Sequence, residues 1–145
     1  MKTRALDLLI VDDEPSVTKI FERLAKQEKL SFEVAKNGYE ALDLLGKTEV
    51  SLIVLDVCLP GLSGFQVLEY VHMNCPESET IVMTGKAKVE DAVKALKMGA
   101  FDFITKPFEN LDIVISCLKQ AYEKANLKRK IKSLESGKAT LEALS

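Results

Sequence analysis

Five short apolar runs recur along the chain: Leu8 to Val11, Phe32 to Ala35, Leu52 to Leu55, Thr80 to Met83 and Asp102 to Ile104. Each has the length of a strand, and each is followed by a stretch of helical periodicity. Leu52-Ile53-Val54-Leu55 has no polar alternation, which predicts a central strand covered by helices on both faces. In the first intervening stretch Val17, Ile20, Phe21 and Leu24 fall at i, i+3, i+4 and i+7, and Pro15 sits where a first helical turn tolerates a missing N–H. A second, shorter helix is predicted from Tyr39 to Leu45. The third opens with Ser63 and Gln66 in capping-box spacing and carries Phe65, Leu68 and Val71 as a stripe. The fourth bears Val89, Ala92, Val93 and Leu96 and stops at Gly99, a residue suited to the left-handed position after a helix. Five βα units in succession predict an α/β fold with a parallel, doubly wound sheet and right-handed crossovers.

The last helix is predicted to begin near Asn110. Leu111, Val114, Leu118, Ala121, Tyr122 and Ala125 fit one face packed on a sheet. Beyond that the apolar positions are Leu127, Ile131, Leu134 and Leu141, in approximate heptad spacing with a shifted phase. They fit either a short coiled-coil linker or a solvated helix end. The organisation expected is one domain over residues 1–125 and a helical extension or linker over 126–145.

A chain of 145 residues with 47% hydrophobic content supports one core. Its 20 Lys plus Arg against 22 Asp plus Glu create no global field, so direct nucleic-acid binding by this segment is not expected. The basic run Lys128 to Lys132 reads as a solvated helix face. No apolar run approaches the roughly 20 residues needed to cross a bilayer, and Asp7, Asp12 and Asp13 interrupt any leader-like start. Cys58, Cys75 and Cys117 are odd in number and lack a CxxC pair, which argues against a disulfide framework or a zinc site. A soluble protein of a reducing cytoplasm is expected, with no membrane partner. His72 reads as an exposed surface residue, Cys75 and Cys117 as packing or loop residues, and Leu59, Leu62 and Met83 as core or loop packing.

In an open parallel sheet, ligands bind outside the carboxyl ends of the strands, where strand order reverses. At those ends stand Asp12-Asp13-Glu14, Asp56, Thr84 and Lys106-Pro107. Converging carboxylates repel each other by roughly 1 to 4 kcal/mol per pair, so they call for a cation. Mg2+ suits a site of few oxygen ligands with room for a phosphoryl oxygen. Asp56, beside the turn Val57-Cys58-Leu59-Pro60-Gly61, is best placed to act as a nucleophile toward phosphorus. Lys106 could offer a compact positive charge to a phosphoryl oxygen and Thr84 a hydroxyl donor. An isolated Asp13 before Pro15 could equally cap a helix, and Asp56 could close a turn. The joint presence of all five residues, Asp12, Asp13, Asp56, Thr84 and Lys106, at four separate strand ends favours the functional reading.

These residues resemble bacterial response-regulator receivers, through LLIVDDEPSV, LIVLDVCLPGLSG, IVMTGKA and GAFDFITKPF, from about Leu6 to Ala125. The resemblance implies a flavodoxin-like (βα)5 fold with strand order 2-1-3-4-5. It assigns Asp12, Asp13, Asp56 and the Cys58 carbonyl to Mg2+, phosphoacceptance to Asp56, and the grip on the phosphoryl group to Thr84 and Lys106. It places Phe103 at an aromatic switch position and implies a cis Lys106-Pro107 bond. Cys58 and Lys86 would flank the path of the hydrolytic water and tune the lifetime of the aspartyl phosphate. The partners implied are a sensor histidine kinase or phosphotransfer protein and a second copy, paired through the fourth helix, fifth strand and fifth helix with the trailing helix. GAFDFITKPF before a long helix also resembles the start of AAA+ enhancer-binding transcription activators. Two other classes fit less well. A haloacid-dehalogenase-type phosphatase would carry DxD after the first strand, where this chain has adjacent aspartates, and a flavin carrier would need a neutral phosphate loop there. A degenerate scaffold is disfavoured because none of the five site residues is missing.

Overall fold

The computed structural model describes residues 4–85 and 88–144, with the side chains of Arg4 and of 138–144 left out. Five strands, β1 (Arg4–Val11), β2 (Phe32–Ala35), β3 (Thr48–Asp56), β4 (Glu79–Thr84) and β5 (Asp102–Thr105), alternate with five helices. The helices are α1 (Pro15–Gln27), α2 (Gly38–Lys47), α3 (Gly64–Asn74), α4 (Val89–Lys97) and α5 (Leu111–Leu144). The strands are all parallel, in the expected order β2-β1-β3-β4-β5.

Local sequence explains the element ends. Pro15 opens α1, Asn37 caps α2 through the Glu40 N–H, and Ser63 and Gln66 form the expected capping box on α3. Gly99 ends α4 at φ +99°, a conformation that costs a residue with a Cβ. The strand interiors alternate between two apolar layers. Leu9, Val11, Ile53, Leu55 and Val82 pack with buried residues of α2, α3 and α4. Leu8, Ile10, Leu52, Val54, Ile81 and Met83 pack with α1 and α5. β3 is buried at every position except Glu49, as its unbroken apolar run predicts.

Two features go beyond the sequence pattern. The α4 apolar positions are largely outside the core: Ala95 is the one buried residue of α4, while Val89, Val93 and Leu96 are 77%, 44% and 49% exposed. One small residue makes the contact with the sheet layer, so the larger apolar groups face outward. The Lys128 to Lys132 run is not simply solvated either, because Lys128 pairs with Glu79 and Lys132 with Glu77. Past Ala125, α5 continues unbroken, with Leu127, Ile131 and Leu134 exposed.

Candidate functional site

Strand register alone assembles the site. Val11 pairs with Leu55, Asp56 with Met83, and Thr84 with Thr105. The following residues, Asp12 beside Asp56 and Lys106 beyond Thr105, are therefore brought level at one edge. β1 and β3 are also where strand order reverses, since β2 lies on one side of β1 and β3 on the other. A backbone bond from the Lys106 N–H to the Thr84 carbonyl, 2.8 Å, ties the two outer residues together.

Asp12 and Asp56 are 1% and 3% exposed. Each closes a turn with one oxygen: Asp12 Oδ1 accepts the Glu14 N–H at 2.9 Å and Asp56 Oδ1 the Cys58 N–H at 2.9 Å. Those bonds aim the second oxygens at Lys106. Its ammonium lies 2.7 Å from Asp12 Oδ2, 3.1 Å from Asp56 Oδ2 and 3.4 Å from Glu14 Oε1. Burial raises the Asp12 carboxyl above its ordinary value against the opposing pull of Lys106. Lys106 is raised in turn, because its bonds to Asp12 and Asp56 outweigh its own desolvation.

The carboxylates of Asp12, Asp13, Glu14 and Asp56 offer oxygens all within 4.8 Å of one another. Among the described residues no donor is aligned on the buried Asp12 Oδ2, although the Lys106 ammonium lies 2.7 Å away. Hard oxygen donors with one lacking a directed partner fit a small divalent cation. Thr84 is buried, and its Oγ1 lies 3.6 Å from the Cys58 Sγ. Cys58 itself is exposed. Gly64, at the start of α3, lies so close beneath Asp56 and Val57 that a Cβ would strike the Asp56 carbonyl oxygen.

The structure thus brings together Asp12, Asp13, Asp56, Cys58, Thr84 and Lys106. It adds Glu14, present in the strand-end run but given no role by the sequence, as a third carboxylate on Lys106. Phe103 is half-buried against the α2–α4 layer, and the Lys106-Pro107 bond is cis as expected. Lys86 lies outside the described residues.

The model of the response regulator receiver domain matches residues 8–118. This chain belongs to the response-regulator receiver family. The receiver is 40% identical over 133 residues to a putative NtrX-like response regulator of Rickettsia bellii, covering 90% of this chain and 28% of that protein. It superposes on NtrX of Brucella abortus with a TM-score of 0.79 at 32% identity, covering 90% of this chain and 29% of that one. It also superposes on the beryllofluoride-activated NtrC4 receiver domain dimer with a TM-score of 0.76 at 34% identity, over 82% of this chain and 98% of that one. The receiver therefore spans less than a third of the length of the curated NtrX-like relatives. Family membership sets aside the phosphatase and flavin-carrier readings. Among the described residues no helix is long and apolar enough to cross a membrane.

Proposed function

We propose that this receiver accepts a phosphoryl group on Asp56 and converts the event into a change of the α4–β5–α5 surface. The observation that carries the reading is the Lys106 ammonium held between Asp12 and Asp56 at 2.7 and 3.1 Å. Attack by an Asp56 carboxylate oxygen forms a P–O bond as the bond from phosphorus to the donor breaks. With a phosphohistidine of a sensor kinase or phosphotransfer protein, the imidazole departs with the electron pair. Lys106 then moves its charge from the carboxylates to a phosphoryl oxygen, and the Thr84 hydroxyl donates to another.

Asp12, Asp13, Asp56 and the Cys58 carbonyl would hold Mg2+, with Glu14 at the rim. The ion would neutralise the clustered carboxylates and the incoming phosphoryl charge. Hydrolysis reverses the gain: water attacks phosphorus and the Asp56 carboxylate leaves. As Thr84 leaves Cys58 for the phosphoryl group, Phe103 turns inward and α4 shifts. The exposed Val89, Val93 and Leu96 supply an apolar face for a second copy or an output domain. The NtrX-like relatives, more than three times as long, support an output in transcription of the AAA+ enhancer-binding kind. On this reading the receiver proper covers residues 1–125 and the rest is a helical connection, in a cytoplasmic protein.

The test is incubation with magnesium and acetyl phosphate followed by intact mass measurement. A gain of one phosphoryl group is expected, absent with a chelator and absent in Asp56→Asn. A gain that persists in Asp56→Asn rejects the assignment.

A further inference from the structure

Far from the acidic pocket, at the other end of β4, stands a second buried carboxylate. Glu79 is 2% exposed and shares the sheet face of Ile81 and Met83 with α5. An ionised carboxylate buried this deeply is costly unless paired. Its Oε1 lies 2.6 Å from the Lys128 ammonium and 3.5 Å from that of Lys124. Among the described residues no aligned hydrogen bond reaches Oε1, and the two ammonium groups are what face it. Lys128 also donates to the Pro76 carbonyl at 3.3 Å, and Lys124 lies 5.6 Å from the centre of the Phe101 ring. One turn further on, Lys132 pairs with Glu77 at 2.9 Å.

Lys124, Lys128 and Lys132 are spaced four apart, so they form a single ladder up one face of α5, each rung about 6 Å above the last. The ladder crosses residue 125, where apolar packing on the sheet ends, and climbs past β4 to the loop between α3 and β4. The rungs are unequal. The Glu79 side chain is 3% exposed, whereas Glu77 and Lys132 are 24% and 66% exposed and open to screening by salt. Rotating the helix by one residue would bring Leu127 or Arg129 to the carboxylate in place of Lys128. Leucine there would leave a buried charge unpaired.

We propose that Glu79 is an electrostatic anchor that fixes α5 from Lys124 to Lys132 onto the receiver body in one rotation and one register. Residues 126–132 then act as a rigid lever belonging to the receiver, and the chain beyond them leaves in a set direction. The anchor does not depend on phosphorylation of Asp56.

Segment-resolved amide hydrogen exchange on the full chain tests it, with acetyl phosphate uptake measured in parallel. In Glu79→Gln, exchange over residues 126–134 is expected to rise at least about tenfold while β1 and β3 exchange as before. Glu77→Gln should change it by less than about threefold. A Lys124→Gln/Lys128→Gln variant should exceed Glu79→Gln, because it strands the buried carboxylate, and adding Glu79→Gln to it should restore much of the lost thermal stability. If Glu79→Gln does not fold, Lys128→Gln decides, since Lys124 still faces the carboxylate at 3.5 Å and exchange over 126–134 should rise there too. Unchanged exchange over 126–134 in the variants that fold, or an equal rise in every strand, overturns the proposal. Uptake of the phosphoryl group should survive in all of them, so loss of the anchor and loss of the phosphoacceptor reading are separate results.

Discussion

Asp12 and Asp56 each serve two purposes through their two oxygens. For Asp56, turn closure and a place in the pocket, which sequence alone offers as rivals, coexist, and Asp12 is built the same way: Oδ1 takes a backbone N–H two residues on, and Oδ2 faces Lys106. The buried Asp12 carboxyl titrates above its ordinary 3.8. The unfolded chain therefore gives up this proton first, and stability from this group falls as pH rises from 3.8 to the folded value, leaving a deficit at neutral pH. Without metal, Asp12→Asn should raise stability, read as a higher melting temperature, while phosphoryl uptake drops sharply. A lower melting temperature would contradict the stated balance. Lys106→Ala should do the opposite, costing roughly 3 kcal/mol or more, since it strands two buried carboxylates. The cysteines separate as cleanly. Burial, with Asp102 close by, pushes the Cys117 thiol up to about 12, and Cys75 is buried too, whereas Cys58 is exposed. At pH about 8 one thiol, Cys58, should react rapidly with a thiol reagent and two slowly. Equal rates for all three would count against the placement.

Elements were legible where their own residues carry the signal. Every strand centre, the Ser63 capping box and the Gly99 stop follow from side-chain pattern, and β2 has the predicted bounds. Strand ends were less legible: β3 begins at Thr48, four residues before its apolar run, because Thr48 to Val50 pair with Arg4 to Leu6 of a distant strand. Register of that kind depends on partners rather than on local pattern, and register is what brings Asp12 level with Asp56. The same limit hid Glu79, whose lysine partners lie more than forty residues away in sequence. It also hid the outward turn of α4, which follows from how few of its residues reach the sheet. Glycines show how an element positions the site. Gly64→Ala should cost roughly 1 to 3 kcal/mol and slow phosphoryl uptake, because the new methyl displaces the Asp56 backbone. Gly46→Ala, inside α2 where only the Tyr70 hydroxyl comes within 4.0 Å, should instead gain about 0.5 to 1 kcal/mol and leave uptake unchanged. Chemical denaturation of the two variants checks the contrast.

At the scale of the whole molecule, two ends of one sheet do different things. The carboxyl edge gathers the acidic pocket, and the opposite edge clamps the helix that leaves the domain. Glu77 is held below its ordinary 4.5 by Lys132, so the outer rung of that clamp is in force at neutral pH. Its contribution is lost as pH falls below 4.5 through the lower folded value. If the proposed pairing through the exposed α4 residues holds, magnesium with beryllofluoride should shift the receiver to a larger species in sedimentation velocity, and Val93→Asp should prevent the shift. The switching account, unlike the clamp, depends on which carboxylate carries the phosphoryl group. Borohydride reduction of the protein treated with acetyl phosphate and magnesium, followed by peptide fragmentation, converts an acyl phosphate to homoserine and locates it directly. Homoserine at position 56 alone is the expected result; homoserine at position 12 or 13, or none at any position, would contradict the account.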